Sequence, residues 1–161
     1  MIRFNHFFIT LASPKVLSFG KIQINLVFRS LIRTFAFVMN QKEHQILISL
    51  ASNEDQEVHL AAAREQLIQL LMEARFTSAI WTEPVNCSRK EPYLNQLCEG
   101  TTALGEGLLC EVLKEIEKRL GRTRNEDGIV AVDLDLLQYD GRKHHLRDWE
   151  RNYVKDLLNE L

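Results

Sequence analysis

Asp133 and Asp135 are the residues whose type and spacing most clearly call for chemistry. They sit in the run IVAVDLDLLQYDG, residues 129–141, which is rich in strand-forming side chains. Side chains alternate along a strand, so Val130, Val132, Leu134 and Leu136 are expected on one face, and Ala131, Asp133, Asp135 and Leu137 on the other. Residues two apart on one face stand roughly 6 to 7 Å from each other. Carboxylates at that distance repel unless a cation lies between or above them. Magnesium suits the pair, because it takes one or two carboxylates together with substrate phosphates and retained waters. The same acids would also serve on the solvated face of an edge strand, paired with Lys or Arg from a neighbour. Both roles are open at this point.

Other residues can gather around them. Arg122 and Arg124 leave a helix end at Gly121 a few residues upstream. Two guanidiniums there suit a polyphosphate bridged by magnesium, and equally suit the negative end of that helix. Tyr93 and Asn95 share a strand face, an aromatic plate beside an amide that both donates and accepts. That is a way to grip a flat heterocycle, although an ordinary edge strand would hold the same pair. His59 has no partner at metal-ligand spacing and is taken as a surface residue, and His144 and His145 as solvated loop.

The elements that must position these residues follow from periodicity. Residues 45–50 form a short buried strand, and Ala51, Ser52 and Asn53 turn into a helix that Ser52 or Asn53 can cap. Leu60, Ala63, Leu67, Leu70, Leu71 and Ala74 make its buried stripe. A second strand is expected over 75–81, a loop over 82–92 and a third strand over 93–101. A helix over 105–120 buries Leu109, Val112, Leu113, Ile116 and Leu120, and Gly121 stops it. After the aspartate strand, a last helix over 146–161 is striped by Trp149, Tyr153, Leu157 and Leu161. The order β-α-β-β-α-β and then a helix predicts an α+β fold, a ferredoxin-like antiparallel sheet with helices packed on it. That architecture hosts many unrelated functions, so it specifies none.

Composition narrows the class. The chain has 161 residues, 45% hydrophobic and 26% charged, with a net charge of -2, which describes one ordinary domain. Residues 1–38 hold Arg3, Lys15, Lys21, Arg29 and Arg33 and no acid, a charge of +5 that leaves -7 for the other 123 residues. The break predicts a basic N-terminal extension outside the core, with the domain proper over 39–161 and Met39 as its natural start. A basic arm for a membrane surface is the alternative. Arg29 and Arg33 interrupt the apolar run, so no span is expected. The acidic core argues against a nucleic-acid partner. Cys87, Cys98 and Cys110 are odd in number and form no CxxC pair, which points to a reducing cytoplasm and to no zinc. A monomer is expected.

From Ile46 to Tyr153 the chain resembles the 6-hydroxymethyl-7,8-dihydropterin pyrophosphokinases of folate biosynthesis. ISLASN, residues 48–53, resembles the family's opening strand and Gly-Ser-Asn turn, with Ala51 where glycine is usual. Thr82-Glu83-Pro84-Val85 resembles its pterin loop and Tyr93-Leu94-Asn95 its Tyr-Leu-Asn strand. Glu117 with Gly121-Arg122-Thr123-Arg124 resembles its helix end, and Asp133 to Leu137 its Asp-hydrophobic-Asp signature. The resemblance implies transfer of the β,γ-pyrophosphoryl group of ATP to the pterin hydroxymethyl, leaving AMP. It implies that Asp133 and Asp135 hold two magnesium ions, and that Glu117, Arg122 and Arg124 serve the nucleotide. Thr82, Pro84, Val85, Tyr93, Asn95 and Tyr153 would hold the pterin. The loop before Asp133 is shorter than is usual in the family, and Val130 stands where an arginine is usual. Three possibilities therefore stand: the transferase, an impaired relative that binds pterin or nucleotide, and a ferredoxin-like interaction module.

Overall fold

Strand β1, His44–Ser52, alternates Ile46, Ile48 and Leu50 with Leu47, Ser49 and Ala51, and this alternation gives the molecule its two sides. The computed structural model describes residues 42–84, 90–123 and 128–161; residues 1–38, Met39, Val85, Cys87 and Arg124 lie outside the described residues. On one side, Ile46, Ile48 and Leu50 meet helices α1, Gln56–Leu70, and α2, Glu106–Arg119. Leu60, Ala63, Leu67, Leu109, Leu113 and Ile116 close that core. The expected stripes are buried at these positions, but Leu70, Val112 and Leu120 are only partly buried, and α1 stops at Leu70, so Leu71 lies past its end and Ala74 belongs to β2.

β1 pairs antiparallel with β4, Tyr93–Thr102, and with β5, Asp133–Tyr139. β2, Glu73–Phe76, and β3, Ile80–Thr82, both pair β4, while β6, Arg142–Lys143, pairs the far end of β5. The order β2-β4-β1-β5-β6 gives the α+β, ferredoxin-like sheet that the element order implies.

Local physics corrects several expectations. The strand expected over 75–81 is two strands, because Thr77 leaves the ladder. Its hydroxyl accepts from the Leu97 N–H at 3.0 Å, its own N–H donates to the Leu97 carbonyl at 3.1 Å, and the Gln96 side chain donates to its carbonyl at 2.6 Å. A side-chain oxygen thus does the work of a backbone carbonyl. Neither Ser52 nor Asn53 caps α1. Asp55 precedes that helix in the left-handed region (φ 41) without a side-chain cap, and Ser52 is still in β1. The last helix is also shorter than expected. A single 3-10 turn, Asp148–Glu150, is cut off by extended Arg151 from α3, Asn152–Leu158. β6 was not foreseen. It follows a two-residue turn at Asp140-Gly141, both with positive φ, as a tight hairpin requires.

The second side is only half open. Leu47, Leu97 and Leu137 are covered by Val154 and Leu157 of α3, with Trp149, Tyr153 and Leu161 around them. Leu137 reaches this cluster at a bulge: Ile48 opposes Leu136 but Ile46 opposes Tyr139, so β5 holds one extra residue and Tyr139 swings to the helix side.

Gly100 on β4 has a structural reason. A Cβ there would lie 2.3 Å from the Glu73 backbone oxygen of the adjoining β2. Gly100→Ala is expected to cost about 1–3 kcal/mol, the usual penalty of overpacking against backbone, read as a lowered midpoint in urea with the slope unchanged.

Candidate active site

On the uncovered half of the second side, three strands bring side chains into rows. Asn95 of β4, Ala51 of β1 and Asp133 of β5 are in register, and so are Leu97, Ser49 and Asp135. The middle strand contributes only Ala51 and Ser49, so little volume fills the centre. A cavity of about 280 Å³ remains. Thr82, Glu83, Tyr93 and Asn95 line one end and Asp133 and Asp135 the other, while Asp148, Arg151 and Tyr153 border it from the C-terminal segment. Asn95 is buried and donates its amide N–H to the Thr82 hydroxyl at 2.9 Å, which ties β4 to β3 across the cavity floor.

The aspartates are fixed from the other flank. This end of β5 pairs with no strand but β1 among the described residues, and α2 side chains cover its edge. The Leu134 N–H donates to Glu117 Oε1 at 2.7 Å, and Glu117 is only 5% exposed. Lys114 Nζ is 2.7 Å from the same oxygen, 3.5 Å from Asp135 Oδ1 and 3.8 Å from Asp133 Oδ1. Arg122 Nη2 stands 3.6 Å from Asp133 Oδ1. Burial, and then the neighbouring Asp135 charge, push the Asp133 carboxyl above its usual range against the pull of Arg122 and Lys114. Burial works to lower the Lys114 ammonium, yet its bond to Glu117 and the three nearby carboxylates raise it overall.

Arg122 owes its place to the end of α2. Gly121 (φ 95) donates its N–H to the Lys118 carbonyl, and the Arg122 N–H donates to the Glu117 carbonyl at 2.9 Å. This paired closure needs a residue in the left-handed region, hence glycine, and it turns the chain back along the edge of β5. Arg122 Nη1 is buried without a hydrogen-bond partner among the described residues.

Residues 47–161 match the family described as 7,8-dihydro-6-hydroxymethylpterin-pyrophosphokinase. The chain belongs to this pyrophosphokinase family. It is 32% identical over 126 residues to the 2-amino-4-hydroxy-6-hydroxymethyldihydropteridine pyrophosphokinase of Bacillus subtilis, covering 71% of this chain and 75% of that protein. It is 29% identical over 151 residues to a mitochondrial folate synthesis bifunctional protein of Arabidopsis thaliana, and 31% identical over 137 residues to that of Pisum sativum. Those matches cover 85% and 74% of this chain but 27% and 25% of the plant proteins, so the chain spans about a quarter of their length.

Of the residues that the pyrophosphokinase resemblance singled out, Thr82, Tyr93, Asn95, Asp133, Asp135 and Tyr153 come together around one cavity. Pro84, Glu117 and Arg122 lie outside its lining, and Val85 and Arg124 lie outside the described residues. The solvated-edge reading of the aspartates also has its counterpart, since Lys114 and Arg122 are the cations it called for. Sequence reasoning missed Ser49, Lys114, Asp148, Arg151 and the true role of Asn53. Asn53 is buried and holds the segment before Asp133: its Oδ1 accepts from the Val130 N–H at 2.7 Å, its Nδ2 donates to the Gly128 carbonyl at 2.9 Å, and its N–H donates to the Val130 carbonyl at 3.0 Å. The i, i+3 spacing of Lys114 and Glu117 was a signal for that pair. His145 is in a loop, as expected, but its ring stands 3.9 Å from Asp135, and Asp148 completes a group whose polar atoms lie within 4.8 Å of one another. No helix among the described residues is long and apolar enough to cross a membrane.

Proposed function

We propose that this chain transfers the β,γ-pyrophosphoryl group of ATP to the hydroxymethyl group of 6-hydroxymethyl-7,8-dihydropterin in folate biosynthesis. The pterin hydroxyl oxygen bonds to the β-phosphorus as its proton passes to water, the bridging bond from that phosphorus to the α-phosphate oxygen breaks, and AMP leaves. The observation that supports this is the register of β4, β1 and β5, which brings Asn95 and the Asp133–Asp135 pair to one cavity that Thr82 and Tyr93 also line. Asp133 and Asp135 fit magnesium as hard oxygen donors on one strand face, opposite small residues that leave room for ligand. We assign two such ions to them, whose charge when bound would offset that of the polyphosphate and favour in-line attack.

The protein's own part is positioning. Arg122 Nη1, buried and without a partner among the described residues, suits a phosphate oxygen, and Arg124 is assigned to the same nucleotide side. Glu117 is better read as the fastening of β5 than as a nucleotide contact, because its carboxylate is engaged by Leu134 and Lys114. Thr82, Pro84, Val85 and Asn95 would meet the pterin edge, with Tyr93 and Tyr153 against its faces. Asn95→Ala is expected to weaken pterin binding by about 1–3 kcal/mol through an unpaired heterocycle edge, measured by calorimetry with a non-hydrolysable ATP analogue present.

One observation favours a slower, binding-dominated relative: the segment leading to Asp133 places Val130, with no cation, where the family resemblance leads one to look for arginine. The deciding experiment follows AMP by chromatography at stoichiometric enzyme with ATP, magnesium and pterin. AMP that requires all three supports the transferase; binding of both ligands without AMP supports the impaired relative. The free Cys98 and Cys110 among the described residues suit a cytoplasmic setting, and the -7 charge of residues 39–161 suits no nucleic-acid partner; a monomer remains our expectation.

A further inference from the structure

Lys114 occupies a position that nothing above assigns. Its ammonium reaches three carboxylates at once, yet unequally: 2.7 Å to Glu117 against 3.5 Å to Asp135 and 3.8 Å to Asp133. Its side chain is 52% exposed on a four-carbon stem, so it is free to shift. Glu117 is not. It is 5% exposed and held by the Leu134 N–H, and the Leu134 carbonyl, 3.4 Å from Lys114 Nζ, offers a second acceptor beside it. The ammonium is thus anchored on Glu117, and a small shift toward the Leu134 carbonyl would give up its longer contacts with the two aspartates.

We propose that Lys114 is, beside Arg122, a resident counter-ion of the Asp133–Asp135 pair, and that a divalent cation binds there by pushing it off the aspartates to rest on Glu117 and the Leu134 carbonyl alone, so that this lysine-glutamate couple tunes the metal affinity of the site. The proposal rests on the metal role assigned above to the two aspartates. Two cations facing one carboxylate pair repel, so the metal binds against the lysine's charge, and a fixed anion behind the lysine lessens that opposition. The couple also makes the variant effects opposite in sign. Removing the lysine should tighten metal binding, and removing the charge of Glu117 should loosen it.

The test titrates the full chain with Mn2+ alone, without nucleotide or pterin, and follows free Mn2+ by electron paramagnetic resonance. Lys114→Met is expected to tighten Mn2+ by about tenfold, within the usual range of coupling between neighbouring sites, and Lys114→Arg to restore weaker binding. Glu117→Gln, which keeps an acceptor for the Leu134 N–H, is expected to loosen Mn2+ several-fold, and that effect should shrink in the Lys114→Met background. A lysine that only braces the edge of β5 would move the melting temperature without this pattern. If Mn2+ binds and Lys114→Met fails to tighten it, the inference is overturned while the pyrophosphokinase proposal stands. If Mn2+ tightens as described but no AMP is ever formed, the inference holds and that proposal falls. If no variant with both aspartates intact binds Mn2+, the metal role and the inference fall together.

Discussion

Replacing Asp133 and Asp135 together by asparagine is expected to abolish magnesium-dependent ATP binding and to lower AMP formation by about 10³-fold or more, the scale on which lost electrostatic stabilisation of transferring phosphoryl groups is felt. Stability should be unchanged or slightly raised. Burial and Asp135 lift the Asp133 carboxyl, so its charged form is disfavoured in the fold. A carboxyl raised in this way makes the native state gain stability as pH falls through its folded value, because the native state then binds the proton more tightly than the unfolded chain. The double variant should lack that gain. Lys114 and Arg122 lose partners at 3.5–3.8 Å, but all three contacts are partly exposed and of small worth, and Lys114 retains Glu117. Calorimetric ATP titrations and melting curves across pH would read all of this. A marked drop in melting temperature with ATP binding intact would make the aspartates structural ion-pair partners and remove them from the chemistry.

Asn53→Ala should be the most damaging single change near the site that touches no proposed ligand. The amide satisfies the Val130 N–H and the Gly128 carbonyl from a position 2% exposed, and alanine leaves both without it. Each orphaned group costs roughly 1–3 kcal/mol. The approach to Asp133 would then be held to the end of β1 only through the Val130 carbonyl, which the residue-53 N–H and the Ser52 hydroxyl still reach, so ATP affinity should fall along with the urea midpoint. Asn53→Asp is expected to be intermediate, since it keeps the acceptor for Val130 and loses the donor to Gly128. Stability loss without any change in nucleotide affinity would separate this strut from the site.

Asp133, Asp135 and Asn53 also mark how far sequence could be read. The aspartate pair was legible because strand alternation is local: two residues apart means one face, whatever the partner strand. The end of α2 was legible for the same reason, since Gly121 announces the left-handed closure that carries Arg122 onward. Asn53 was not, because it works across 77 residues to Val130, and a cap and a long-range strut look identical in sequence. Lys114 stood in an evident pair with Glu117, but only the pairing of β5 shows that the pair lies on the aspartate edge. The Asp140-Gly141 turn was a local signal that went unused. The bulge at Leu137 left no such mark, because it compensates a register set by the whole sheet.

The seven residues of α3 make too short a helix to persist in water alone, so its existence depends on Val154 and Leu157 finding Leu47, Leu97 and Leu137. The same segment sets Tyr153 against the cavity. One wall of the site is thus drawn from a unit with little internal cohesion, able to detach without the helix-side core melting. Any ligand that rests on Tyr153 would share its binding energy with the folding of that wall, and part of its affinity would be recorded as order gained by the chain.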